Sequence, residues 1–228
     1  MKRILTFFMI SLALSAFSQK GLILQEDFSS EQMPPAGWTI DAQATNWSAS
    51  ATNNSGGSAP EGKLSWSPQF NGESRLISPV FDVSGYSAMR IAFKHSVDHY
   101  GGGYTLGVAT SSDGGSSWNN VWTGGGESIT ESLDVEIDNG DVGSETFQIC
   151  LYFSGNSYNI NYWYIDDIAL YAPENIDLLA TGILVPDYMA QGDTEIVASV
   201  ANYGLTDITS FDAYYQIDDE TPVMETIS

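Results

Sequence analysis

The sequence predicts an all-β protein: a jelly-roll β-sandwich followed by an incomplete immunoglobulin-like β-sandwich. Three observations carry that expectation. No window keeps an i, i+3, i+4, i+7 apolar pattern through several helical turns. Short runs with a two-residue apolar period recur instead, separated by clusters of Gly, Ser, Asn and Asp. Hydrophobic residues make up 43% and aromatics 12% of the 228 positions, enough for a packed core and too many for a disordered chain.

In order, residues 22–28 form one short apolar run. Residues 89–97 alternate, with Met89, Ile91, Phe93, His95 and Val97 on one face and Arg90, Ala92, Lys94 and Ser96 on the other. Residues 104–110 follow a Gly101-Gly102-Gly103 turn. Residues 129–137 turn Leu133, Val135 and Ile137 inward and Ser132, Asp134 and Glu136 outward. Residues 146–153 place Phe147, Ile149, Leu151 and Phe153 together, and residues 162–171 read as a long final strand. That density, about ten strands in roughly 150 residues with turns between them, fits an antiparallel jelly roll over 22–172.

Residues 173–176, Ala-Pro-Glu-Asn, read as a linker. A second strand series occupies 176–184, 195–202, 210–217 and 222–227 within the unit 177–228. Its pattern is that of an immunoglobulin-like sandwich, which takes about seven strands and about 100 residues. The expectation is therefore a partial domain, with the chain stopping inside it.

Composition narrows the function. Seven Lys and Arg stand against 29 Asp and Glu, a formal charge of −22, which disfavours nucleic acid and anionic membranes as partners. The single Cys150 excludes an internal disulfide and any zinc site built from several thiolates. Lys2 and Arg3, the apolar stretch 4–14 and the small residues Ala16 and Ser18 read as a signal peptide over 1–18, with Gln19 as the new N-terminus. The apolar stretch is short for a membrane span, and no other run approaches about eighteen apolar residues. Cleavage leaves five basic residues against 29 acidic, a net −24. The expected location is secreted or at the outer cell surface.

Three segments then resemble a known family. Glu26-Asp27-Phe28 is followed by Pro34-Pro35-Ala36-Gly37-Trp38. Next comes Leu76-Ile77-Ser78-Pro79-Val80-Phe81-Asp82-Val83, and then Trp163-Tyr164-Ile165-Asp166-Asp167-Ile168. In that order they resemble the MAM-like jelly rolls of bacterial surface proteins, near the gingipain-type cleaved-adhesin and choice-of-anchor modules. The leader ending in Ala-Phe-Ser-Gln is similar to those of proteins exported by a type IX pathway. The resemblance implies a non-catalytic adhesion or ligand-binding module. Its partner would be an extracellular polysaccharide or a host or matrix protein. The alternative it leaves open is an accessory region of a secreted peptidase or glycosidase whose catalytic domain lies elsewhere.

The same resemblance implies a structural calcium joining the first strand to the last, carried over onto Glu26 and the Asp166-Asp167 pair, with Asp27 as a further candidate. Calcium takes about six to eight hard oxygens, which carboxylates on neighbouring strands and loop carbonyls supply. On an alternating strand Asp166 and Asp167 point to opposite faces, so one of them is the expected ligand.

Other motifs point to structure. Ser111-Ser112-Asp113-Gly114-Gly115-Ser116-Ser117-Trp118 fits an Asp-box but occurs once, so it reads as a hairpin turn with Trp118 packed beneath it. His95 and His99 are four apart without an HExxH pattern, and His95 shares a face with Ile91 and Phe93. There is no G-x-S-x-G elbow, and Cys150 sits mid-strand between apolar neighbours. Tyr100, Tyr104, Trp118, Trp122, Tyr158, Tyr162 and Tyr164 lie near loops rich in Gly or Asn. They are the candidates for stacking on sugar rings, unless they pack inside the sandwich.

Overall fold

The computed structural model describes residues 21–184, 197–216 and 221–228. The expected signal peptide, residues 1–18, lies outside the described residues, as do positions 195, 196 and 217 of the expected later strands.

Eleven strands precede Ala172. They are β1 (Leu22–Glu26), β2 (Thr39–Ile40), β3 (Trp47–Ser50), β4 (Glu61–Ser65), β5 (Asn71–Ile77), β6 (Met89–His99), β7 (Tyr104–Ser111), β8 (Asn119–Gly124), β9 (Ile129–Ile137), β10 (Gln148–Asn156) and β11 (Ile160–Tyr171). The only helical pieces described are two three-residue 3₁₀ turns, Ala44–Asn46 and Ser157–Asn159.

The strands form two antiparallel sheets. One runs β3-β4-β11-β6-β9, with β1 also paired to β11; the other runs β2-β5-β10-β7-β8. Most connections therefore cross from one sheet to the other, as in a jelly roll. The glycine turn at 101–103 is one of these crossings, since β6 and β7 belong to different sheets.

The alternation in the sequence decides which side chains fill the space between the sheets. Over residues 89–97 of β6 the odd positions Met89, Ile91, Phe93, His95 and Val97 are buried and the even ones half-buried. Phe147, Ile149, Leu151 and Phe153 face them from the second sheet, all fully buried. Trp163 sits at the centre, 6.1 Å from Trp47 between ring centroids, and the Trp47 indole N–H donates to Ser74 Oγ at 2.8 Å.

The first strand ends two residues before the apolar run does. Phe28 takes φ +55° and turns into the core, where it is fully buried. The ring also explains Gly62: a Cβ there would come within 2.7 Å of it.

Beyond Ala172 the strands fall where the sequence places them, as two separate ribbons. These are β12 (Leu178–Leu184) with β13 (Val197–Asn202), and β14 (Phe211–Tyr215) with β15 (Val223–Ile227). Both expose apolar side chains, among them Leu179, Ile183, Tyr214 and Met224. No helix among the described residues is long and apolar enough to cross a membrane.

Candidate functional site

Three sheet-crossing loops meet at one end of the sandwich: 66–70 between β4 and β5, 100–103 between β6 and β7, and 157–159 between β10 and β11. They are tied to one another by hydrogen bonds. Ser157 Oγ accepts from the Phe70 N–H at 2.9 Å and donates to the Trp66 carbonyl at 2.8 Å. The Asn159 carbonyl accepts from Tyr100 and Gly101 N–H at 2.9 and 3.1 Å, and its side chain donates to the Gly103 carbonyl at 2.8 Å. Asn156 Oδ1 caps the 3₁₀ turn at Tyr158 N–H and accepts from Gln69, both at 3.1 Å. The loop backbones are thus fixed before any ligand arrives, which lowers the ordering cost of binding.

On this frame three aromatic rings close a shallow cleft of about 180 Å³, lined by Trp66, Tyr100, Tyr158, Ile160 and Asn161. Tyr158 stands at right angles to both neighbours: 5.6 Å and 87° from Trp66, 5.1 Å and 77° from Tyr100. These are favourable edge-to-face pairs. Tyr100 is 59% and Tyr158 45% exposed, high values for rings held by so many contacts. The Tyr100 hydroxyl bonded to Tyr158, and the charge it can carry, hold the Tyr158 phenol above its usual range. The Asn161 side-chain amide donates to Asp98 at 3.2 Å and its backbone carbonyl accepts the Trp66 N–H at 3.3 Å, which leaves the side-chain Oδ1 as an acceptor at the rim.

Of the seven aromatic candidates, the structure therefore gathers Tyr100 and Tyr158. Tyr162 is exposed one residue away, on the outer face of β11, with Tyr164 at 5.7 Å and the Lys63 ammonium 5.4 Å from its ring centroid. Tyr104 stacks on Phe153 at 5.7 Å and 15°, and burial pushes its phenol up. Trp122 packs against Phe93 and His95, with centroids 5.7 and 5.3 Å away. Trp118 covers Ala109, Cys150 and Tyr152 on the outer face of the second sheet, under the Arg75 guanidinium. Trp66 is the ring the sequence reading lacked. Its signal is a tryptophan directly before Ser67-Pro68, where a strand gives way to a turn.

The acidic candidates meet at a junction of strands. One edge of β11 pairs with β4 over Tyr162–Ile165 and with β1 over 168–171. Asp166 and Asp167 lie in the gap, at a bulge against β6, and Asp167 takes φ +50°. Glu26 ends β1 and Glu61 begins β4 on either side of that gap.

Asp166 is fully buried. Its Oδ1 accepts the Asp167 N–H at 2.8 Å, and its Oδ2 has no hydrogen-bond partner among the described residues. Burial, then the charges of Asp167 and Glu61, push its carboxyl up to about 7. Gly57 lies directly over it, where a Cβ would come within 1.9 Å of Oδ2.

Glu61, fully buried too, gathers the loop at 52–55: its carboxylate accepts from Thr52 Oγ1 at 2.6 Å, from the N–H of Asn54 and Ser55 at 2.8 and 2.9 Å, and from Ser55 Oγ. Glu26 accepts the Phe28 N–H at 2.7 Å, and burial outweighs that bond to raise its carboxyl. Asp27 is exposed and held low by the Ser29 hydroxyl and N–H. Asp167 pairs with Lys94 at 2.7 Å.

Among the described residues no three of His, Cys, Asp and Glu are gathered as a ready metal cage. Asp166 Oδ2, buried and without a hydrogen-bond partner among the described residues, is the acidic oxygen here open to a hard cation. Glu61 beside it, like Asp27 and Asp167, already has partners, so it would reach a cation only while keeping its bonds to the loop at 52–55.

No family model and no curated protein matches the chain. Solved structures do superpose on it. The K3 cleaved adhesin domain of Lys-gingipain from Porphyromonas gingivalis is 15% identical, with a TM-score of 0.48 over 66% of this chain and 99% of that one. The K1 domain of the same protein gives 15% and 0.48 over 65% and 97%. The C-terminal family 22 carbohydrate binding module of Clostridium thermocellum Xyn10B gives 9% and 0.44 over 67% and 93%.

The remaining polar groups hold the scaffold. Asp141 is buried and accepts from Thr110, Ser112 and Asn119 at 2.6, 2.7 and 3.0 Å. In the Asp-box turn, Asp113 accepts from the Ser117 hydroxyl and N–H and from Ser111, which hold its carboxyl down at about 2. Gly114 and Gly115 supply the positive φ that turn needs. His95 Nε2 lies 3.0 Å from Glu131, and burial lowers the imidazole below its usual range. Burial raises the Cys150 thiol far above the range of a nucleophile.

Proposed function

We propose that the chain is an exported, non-catalytic binding module that engages an extracellular polysaccharide through the aromatic cleft at one end of its jelly roll. The carrying observation is the cleft itself. Rings left 45% and 59% exposed stand on loops that are hydrogen-bonded to one another rather than folded inward. A packing role would bury those faces; sugar-stacking leaves them open. Two facts support export: the leader pattern at 1–18, and an acidic surface suited to a soluble extracellular protein. Among the described groups, Cys150 and His95 are buried and neutral, which favours binding over chemistry.

Calcium belongs to this reading as a structural element. Asp166 and Glu61 would hold it, with Glu26 at the neighbouring strand end. The ion would neutralise two buried carboxylates at the point where β1 and β4 meet β11. The module as a whole is tested by retention of the purified chain on a panel of insoluble polysaccharides and matrix proteins. Retention that falls on changing Tyr100 and Tyr158 together to Ala supports the reading. A chain that is retained by nothing in the panel overturns it.

A further inference from the structure

We infer that the Trp66–Tyr100–Tyr158 cleft takes a single neutral pyranose ring by its apolar C–H face and discriminates against uronate- and sulfate-bearing sugars. The inference rests on the polysaccharide-binding reading and adds the class of ligand. Three observations carry it.

The first is size and shape. A cleft of about 180 Å³ walled by rings at right angles has room for one sugar ring rather than a run of them. One wall offers its face for stacking while the next closes the side. C–H groups on the less substituted face of a pyranose meet the electron-rich face of a ring in this way.

The second is charge. None of the five lining residues is charged. The acids near this end are Asp98, bonded to the lining Asn161, and Glu127, whose charge with that of Asp98 is felt at Tyr104. The whole chain carries −22. A carboxylate or sulfate brought here would meet like charge with no cation in the lining to receive it.

The third is the supply of hydrogen-bonding groups. The Tyr100 and Tyr158 hydroxyls and the side-chain Oδ1 of Asn161 are neutral donors and acceptors, matched to sugar hydroxyls.

The test is affinity electrophoresis of the full chain in gels containing neutral polysaccharides (starch, xyloglucan, galactomannan) or acidic ones (polygalacturonate, chondroitin sulfate), at low and high salt. The variants are Trp66→Ala, Trp66→Phe, Tyr158→Ala and, as a control on another face, Trp118→Ala. Thermal melting confirms that each variant folds.

The expected result is retardation by at least one neutral gel that salt leaves unchanged. Trp66→Ala and Tyr158→Ala should weaken it at least about tenfold, Trp66→Phe should recover part of the loss, and Trp118→Ala should leave it intact. Neutral binding that survives both alanine changes overturns the cleft while keeping the polysaccharide reading. Stronger retardation by the acidic gels overturns the ligand class alone. Binding to matrix proteins with no retardation in any gel overturns both the ligand class and the polysaccharide reading.

Discussion

Replacing Asp166 by Asn should stabilise the cation-free protein above pH 7 and abolish its response to calcium. The carboxyl is fully buried and its proton is held up to about 7, against an ordinary value of 3.8. That gap of about three units corresponds to roughly 4 kcal/mol at about 1.36 kcal/mol per unit. The sign follows from linkage. The folded-state pKa lies above the unfolded one, so the folded protein holds a proton between pH 4 and 7 that the unfolded chain has lost. Stability therefore falls as pH rises through that window, and the whole penalty is present above about 7. Asparagine keeps the oxygen that accepts the Asp167 N–H and removes the charge. It also places an amide N–H where Oδ2 had no partner, at a cost of about 1 kcal/mol or more. A net gain of about 2–3 kcal/mol remains, worth roughly 4–12 °C in Tm for a unit of this size. Thermal melts by circular dichroism would be run at pH 5 and pH 8, each with chelator and with millimolar calcium. The variant should melt higher than the parent at pH 8 in chelator and within a few degrees of it at pH 5. Calcium should raise the parent alone. A variant that melts lower than the parent at pH 8 in chelator would refute the argument, because the carboxylate would then be better satisfied than its surroundings allow.

Four further outcomes are expected. Glu61→Gln keeps one acceptor oxygen for four donors, and at about 1.5–3 kcal/mol per bond to a charged group it should cost roughly 3–5 kcal/mol. Limited proteolysis should then cut first within 51–60. Gly57→Ala drives a Cβ to 1.9 Å from Asp166 Oδ2 and should lower Tm, whereas Gly56→Ala, with open space at its Cβ, should lower it less despite its φ of +91°. His95 titrates below 6.5 when folded, so its contribution is complete above that pH and is lost as pH falls through the folded value. Proton NMR of the imidazole, followed with chemical denaturation, would show both. Cys150, buried with a raised thiol pKa, should resist a thiol reagent in the native protein and react at once in denaturant.

What the sequence discloses depends on how regularly a strand alternates. Residues 89–97 alternate without a break, and β6 buries the odd positions. Strands β2 to β5 are another matter. They run through Ser, Asn and Gly, are mostly short, and carry few apolar residues, so no period marks them. Both residues that complete the candidate sites fall there. Trp66 looks like one more aromatic before a turn until the loops at 100–103 and 157–159 arrive from other strands. Glu61 looks like a solvated acid until it is buried beneath the loop it binds. The Asp166-Asp167 pair shows a second limit. Alternation alone predicts one residue inward and one outward; the structure instead has a bulge with Asp167 at φ +50°, which gives Lys94 the outer carboxylate and leaves the inner one without a partner for Oδ2. Local pattern reports a strand, but not where its partner strands end.

One strand joins the two sites. β11 begins at Ile160 and Asn161, in the lining of the cleft, and reaches the acidic junction at Asp166. β4 leaves that junction at Glu61 and ends at Ser65, next to Trp66. The pairing of β4 to β11 over Tyr162–Ile165 thus sets the distance between the tryptophan wall and the Ile160–Asn161 side of the cleft. A cation at the junction would touch no ligand. By offsetting the Glu61 charge and the Asp166 charge that is present above about pH 7, it would favour that pairing. Removing it should lower glycan affinity only as far as it loosens the sheet, so the affinity loss and the Tm loss should track each other across a calcium titration.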